Sequence, residues 1–426
     1  MPLDVSESNF SSPLPPDYRL VPAQEIRHRL QRAQQALDDN DLTGLLILQK
    51  IDLFYFTGTL QNGILWLPAT GEPVFWVRHS LVRARQESPL SDIRPHPSSP
   101  ALKKELSAAI SVPCRIGLEL DTIPANRASR LQELLPTGCQ TSDASFLIRS
   151  LRAIKSEYEI ECIRRAAAIM DELFDKVVPS LLAPGKSEFE ILGELDLEAR
   201  KRGHLGIIRM RGWNNEVLLG HILSGPESTR RGYLDAPTNG LGLAPAFPQG
   251  ASRTKIRPGV PVSIDFMVNY EGYMADATRV FCLGEPSPLY IKTHHKLLDL
   301  NQKITEALRP GQISTELFQL ALEIAGEFGF AENFLGYGDD RVSFVGHGIG
   351  LEVDEFPFIA SGTPFVLTAG MVIALEPKLI FPPHQQIPAP LPSGVVAIES
   401  TYLITNQKPL RLNRFPEKIR TLSERD

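Results

Sequence analysis

Asp265 and Asp276 lie in consecutive stretches rich in strand-forming residues, Val262–Asn269 and Tyr273–Phe281. Asn269–Gly272 reads as the turn between them. A hairpin centred between Tyr270 and Glu271 makes the two acids direct cross-strand partners, on one face with Cβ atoms ~5 Å apart. Like charges so placed repel unless a cation lies between them, and carboxylate oxygens suit a divalent metal. Two more acids follow apolar strand-like runs: Glu376 after Met371–Leu375, and Glu399 after Val395, Val396 and Ile398. A carboxylate carried into an apolar interior needs a partner or a metal. His347 sits in Gly346-His347-Gly348-Ile349-Gly350, where glycines allow close backbone approach and imidazole is a common metal ligand. A dinucleotide-binding glycine loop fails on spacing, because Leu351 stands where a further Gly is required. Together these acids and the imidazole could hold two divalent ions.

The same residues resemble the creatinase, aminopeptidase P and prolidase group of "pita-bread" metallopeptidases, with methionine aminopeptidases as more distant kin. The family's Asp…Asp-x-Thr-Arg pattern is matched by Asp265 and Asp276-Ala277-Thr278-Arg279. Its His-Gly-Ile-Gly-Leu segment is His347–Leu351, its Glu-Pro is Glu376-Pro377, and its late Ile-Glu is Ile398-Glu399. Arg152-Ala153-Ile154-Lys155-Ser156 is similar to the family's interdomain junction, and Tyr55-Phe56-Thr57-Gly58 to its N-terminal Tyr-x-Thr-Gly element.

The resemblance implies a centre of two divalent metals. Asp265 would chelate one, Asp276 and Glu399 would bridge both, and His347 and Glu376 would bind the other. It implies a hydroxide between the metals as the nucleophile, with Glu376 as general base. Oxygen-rich ligation with one His favours Mn or Co, with Fe or Zn as alternatives. The expected activity is that of an Xaa-Pro aminopeptidase or dipeptidase-like exopeptidase on small peptides. A non-peptide amide or amidine hydrolase on the same fold is the alternative, and a non-enzymatic binding module a third. The family also implies a homodimer.

The chain departs from the family where a second His is usual, seven residues after the ligand; Asp354 stands there. An ionised Asp accepts hydrogen bonds or pairs with a cation but cannot donate. Asp354 is therefore a candidate substrate-contacting group, or a structural partner of Arg209 or Arg211. The family's Arg before the last Glu is replaced by Val396 and Ala397. His204, His221, Arg209, Arg211 and Glu216 lie in a stretch that could compensate.

These residues must be placed by regular elements. Residues 21–150 alternate helical and strand-like segments, which predicts an α/β domain of the creatinase-like N-terminal kind. Beyond it, 151–426 forms the expected α+β pita-bread catalytic domain. Ser156–Val178 reads as one helix ended by Pro179, followed by a second over Glu188–Arg202. Ile291–Leu308 and Ser314–Phe328 repeat that pair. Leu182-Ala183-Pro184-Gly185 echoes Leu308-Arg309-Pro310-Gly311. Gly259–Asp265 echoes Gly370–Glu376, an acid six positions after a Gly. The expectation is a duplicated helix-helix-strand architecture.

At 426 residues the chain exceeds the size of a typical single core. Its formal net charge of −6 offers no basic surface for phosphates, so nucleic acid is not an expected partner. Neither is a membrane, since no apolar run reaches the ~20 residues of a spanning helix. Residues 1–20 read as a loose tail without signal-peptide character. Cys114, Cys139, Cys162 and Cys282 lack metal-site spacing and read as buried small hydrophobes in a reducing cytoplasm.

Overall fold

Short apolar runs between helices of one-sided hydrophobicity build the first of two units, Met1–Leu151 and Arg152–Asp426. The structure is a computed structural model and describes residues 13–383 and 393–423. The expected tail over 1–20 thus lies partly outside the described residues.

In the first unit the elements are α1 (Ala23–Asp39), β1 (Gly44–Ile47), α2 (Lys50–Thr57), β2 (Gly63–Pro68), β3 (Val74–Val77) and α3 (Leu81–Glu87). They continue as β4 (Ile93–Pro95), α4 (Ser99–Ala109), β5 (Cys114–Leu118), α5 (Ala125–Leu134), β6 (Cys139–Asp143) and α6 (Ser145–Ala153), which crosses the junction. The sheet order is β4-β3-β2-β1-β5-β6. Trp66, Trp76, Ile116 and Leu118 meet Leu102, Leu106 and Leu131 of the helices in the core. Helix α2 starts where the Gln49 side chain accepts from the amides of Ile51 and Asp52, and ends at Gly58 with φ 77°. Thus Tyr55-Phe56-Thr57-Gly58 is a helix end.

One expectation fails here. Cys114 and Cys139 face each other across the parallel strands β5 and β6 and form a disulfide, with Cα atoms 4.6 Å apart. Cys162 and Cys282 are buried and take no part in a disulfide.

The first half of the second unit contains α7 (Glu157–Glu172), α8 (Val178–Leu181), α9 (Glu188–Lys201), β7 (Gly220–Ser224), β8 (Val262–Tyr270) and β9 (Tyr273–Leu283). Ser156 and Ser187 open α7 and α9 with reciprocal capping to Glu159 and Glu190. Pro179 does not end the first helix as expected. A π-helical turn, Leu173–Val177, precedes it and puts Pro179 in the first turn of α8, where a missing N–H is tolerated.

The second half repeats the plan: α10 (Pro288–Ala307) and α11 (Ser314–Glu327), then β10 (Phe344–Gly348), β11 (Glu355–Ala360) and β12 (Val372–Leu375). It closes with β13 (Lys378–Phe381), β14 (Gly394–Ala397), β15 (Ser400–Leu403), β16 (Leu410–Arg411) and β17 (Arg420–Leu422). Strands order as β17-β9-β8-β7, as β11-β10-β12-β15-β16, and as the pair β13-β14. Leu297, Leu300 and Ile304 of α10 and Leu317, Ala321 and Ile324 of α11 bury against Ile373, Leu375, Leu379 and Val396 of the strands. The duplicated pita-bread architecture is present.

The hairpin register differs from expectation. Tyr270 pairs with Tyr273, so the turn residues are Glu271 and Gly272, with φ of 53° and 93°. A two-residue type I′ turn requires positive φ at both central positions, and Gly272 adopts that region without strain. Moving the turn by one residue moves every pair by two. Asp265 therefore faces Thr278 and Asp276 faces Met267. The acids stay on one face, as diagonal rather than direct neighbours.

Candidate metal centre

Asp265 lies mid-strand in β8, flanked by His221 on β7 and Thr278 on β9. His347 lies on β10 between Phe358 of β11 and Ala374 of β12. Glu376 follows β12, and its amide donates to the Val345 carbonyl at 2.9 Å. Glu399 links β14 to β15, and its Oε2 accepts from Thr278 Oγ1 at 2.9 Å. Arg279, buried, donates to the carbonyls of Thr278, Glu399 and Phe415 and so fixes the backbone carrying Glu399. All five residues are buried and line one cavity of about 420 Å³.

Lys378 enters the same cluster, and the sequence reading overlooked it. Its Nζ lies 2.8 Å from Asp265 Oδ2, 2.8 Å from Glu376 Oε2 and 3.1 Å from Glu399 Oε2. The available signal was strand parity. Two residues after Glu376, a lone Lys at the head of the apolar run Leu379–Phe381 presents its side chain on the same face.

Dense charge in a buried site sets the protonation states. Burial, then Glu399 and Asp265, carry the Asp276 carboxyl well above the usual carboxylate range. Burial pushes Glu399 up to about 7, against the pull of Lys378. At Glu376 burial acts in the same direction but is outweighed by Lys378 and His347, which hold it at about 2. Burial disfavours the Lys378 ammonium, yet Asp265, Glu376 and Glu399 together raise it well above the usual lysine range. His347 also resists burial: Glu376 beside Nε2 at 3.5 Å raises it to about 9, while Nδ1 lies 3.1 Å from the Gly348 carbonyl.

The donor set accommodates one divalent ion well. Asp276, His347 and Glu399 each present a ligand atom, all within 4.8 Å of one another. Asp276 Oδ1 is buried and lacks a hydrogen-bond partner, which a cation would supply. A second ion fits poorly, because Lys378 already engages Asp265, Glu376 and one oxygen of Glu399.

Asp354 lines the cavity, but its two oxygens accept from the backbone amides of Arg211 at 2.7 Å and Gly212 at 2.8 Å. Its carboxylate thus braces the 209–212 loop through two of that loop's backbone amides. Arg211 Nη1 is 3.7 Å from Glu352. The Arg209 carbonyl accepts from Val353, and His204 Nδ1 accepts from the Asn269 amide at 2.8 Å. Glu216 accepts from Tyr233 through its carbonyl. Of the compensating candidates only His221 lines the cavity, with an unpartnered buried Nδ1.

Residues 161–406 match the model of metallopeptidase family M24, and residues 29–154 that of the creatinase/prolidase N-terminal domain. The chain belongs to the M24 metallopeptidase family and is a prolidase-like hydrolase. It is 26% identical to an Xaa-Pro dipeptidase of Pyrococcus furiosus over 92% of this chain and 100% of the relative. It is 27% identical to a probable dipeptidase, PepE, of Mycobacterium tuberculosis, over 94% and 98%. The crystal structure of dipeptidase PepE from Mycobacterium ulcerans superposes with a TM-score of 0.76 at 25% identity, over 95% of this chain and 100% of that one. The prolidase of Pyrococcus horikoshii gives 0.73 at 25%, over 92% and 99%. Family membership implies a divalent metal.

Proposed function

We propose that this chain is a metal-dependent exopeptidase that releases the N-terminal residue of short peptides, with Xaa-Pro bonds as the preferred class. The observation that carries the reading is the convergence of Asp265, Asp276, His347, Glu376 and Glu399 in the lining of a cavity of small-ligand size. Asp276, His347 and Glu399 would hold the ion, with Mn or Co preferred to Fe or Zn. Bound there, a divalent ion would supply Lewis-acid polarisation of the scissile carbonyl and an acidified water. Glu376 Oε1 is the proposed proton acceptor, because Oε2 already serves Lys378.

The lining also bears on which end of the peptide is bound. Lys378 is the one Lys or Arg among the described lining residues, and three carboxylates surround its ammonium. This supports recognition without a carboxylate clamp. Apolar side chains, among them Met210, Val217, Leu234, Phe344 and Phe358, would hold the residues flanking the bond. Asp354 has a positioning rather than a catalytic part in this proposal.

The test is a panel of Xaa-Pro dipeptides, longer Xaa-Pro peptides and their C-terminal amides, with Mn, Co, Fe or Zn supplied. Cleavage that survives amidation but not N-acetylation is expected. Hydrolysis of non-peptide amides alone would replace the reading with its alternative. A homodimer in the cytoplasm completes the proposal, checked by light scattering and by thiol mapping in protein from its own cells. The Cys114–Cys139 bond weighs against that compartment, and a fully oxidised pair in such protein would reject it.

A further inference from the structure

A lysine ammonium carries three hydrogens and no acceptor. At Lys378 three carboxylates take them: Asp265 and Glu376 at 2.8 Å and Glu399 at 3.1 Å. The first two are lengths of charge-assisted hydrogen bonds, and the third is that of an ion pair. Three anionic oxygens drawn from three different segments around one point is the arrangement a small cation would impose. We propose that Lys378 fills one of the two cation positions of this fold, so that the centre takes a single divalent ion, held by Asp276, His347 and Glu399.

The inference rests on the cluster being a metal centre and narrows it to one ion. Lys378 is anchored by its strand, where it pairs with Ala397, and its side chain is 3% exposed. Displacing the ammonium would strand a buried positive charge and break three ion pairs at once. The charge balance agrees. With an ion bound and all four carboxylates ionised, the site carries four negative charges, of which one ammonium with one divalent ion offsets three. A second divalent ion beside the ammonium would overshoot to a net positive site. Asp276 Oδ1, buried and without a hydrogen-bond partner, belongs to the three-residue group that could hold the ion.

Asp265 consequently acts through Lys378. Asp265 becomes a positioning residue for the ammonium, and Glu376 bridges Lys378 and His347.

The experiment is metal content. The full-length protein is stripped with chelator, reloaded with excess Mn(II), freed of unbound ion and counted by plasma mass spectrometry. Its electron paramagnetic resonance spectrum is recorded in parallel. One Mn per chain with an isolated-ion spectrum is expected for the wild type. Lys378→Ala should raise the count to two and give a spin-coupled pair. Asp265→Asn should leave one, and Asp276→Asn should leave none. Two ions in the wild type would overturn this inference while leaving the metal centre intact. No ion in the wild type would overturn the metal-centre reading itself. Should Lys378→Ala fail to fold, Asp265→Asn decides, since a count below wild type would make Asp265 an ion ligand.

Discussion

Thr278 Oγ1 donates to Glu399 Oε2 at 2.9 Å, tying the strand beside Asp265 to the link between β14 and β15. The two residues lie in different halves of the duplicated unit. Glu399 is aimed by a neutral hydroxyl that orients one oxygen without neutralising it. Replacing the hydroxyl with a methyl, Thr278→Val, keeps the strand and the volume. Outer-shell hydrogen bonds of this kind typically carry ~10–100-fold in metal affinity. Mn(II) titration calorimetry should show a loss of that order with the fold unchanged by circular dichroism. Unaltered affinity would mean that Lys378 and the backbone hold Glu399 without the hydroxyl.

Arg279 is buried and donates to carbonyls of Thr278, Glu399 and Phe415 and to Ser400 Oγ at 3.0 Å. Arg279→Met fills similar space but leaves these acceptors dry. A destabilisation of about 2–4 kcal/mol is expected from denaturant unfolding. Activity should fall as well, because the Glu399 carbonyl loses its donor.

Asp354→Asn tests the brace on the 209–212 loop. The amide group can accept through one oxygen only, and its NH2 would face the Gly212 N–H. Loss of one charge-assisted bond should lower stability by about 1–3 kcal/mol. Hydrogen exchange at Arg211 and Gly212 should accelerate, and KM should rise more than kcat falls. Unchanged exchange at both amides would refute the brace.

Glu355, which does not line the cavity, supplies a pH signature of its own. Its oxygens meet Arg152 Nη2 at 2.6 Å and Lys155 Nζ at 2.8 Å, and accept from the amides of Leu351 and Glu352. Burial alone would raise this carboxyl, but Arg152 and Lys155 outweigh it and hold it at about 2. The folded value lies below the unfolded one. The stabilisation is therefore complete above about pH 4.5 and is lost as pH falls towards about 2, on the order of 3 kcal/mol. Glu355→Gln should flatten that part of the stability–pH curve, as followed by urea unfolding between pH 5 and pH 3.

Much of the site was legible because buried chemistry leaves a mark on pattern. Glu376 and Glu399 stand out against the apolar runs before them, and Asp265 and Asp276 share a face whichever residue centres their turn. That centre was misplaced because Gly272, rather than Tyr270, satisfies the positive φ. The cysteine pair was missed because Cys114 and Cys139 meet only once β5 and β6 lie side by side, a tertiary fact. Lys378 escaped because a Lys at a strand start usually faces water. Only the fold reveals that Asp265 and Glu399, from other segments, join Glu376 around it. Pro179 misled because a π-helical turn reset the hydrogen-bond ladder ahead of it.

The pairing of β17 with β9 has a consequence for how the protein is made. Arg420, Thr421 and Leu422 lie parallel to Phe281, Cys282 and Leu283 and complete the edge of the sheet that carries Asp265 and Asp276. On the ribosome, β9 emerges long before its neighbour exists. Its outer row of amides and carbonyls must wait, unpaired, while the whole second half is synthesised. An open strand edge is a template for misassociation between nascent chains. Crowded translation is the condition that would expose this weakness.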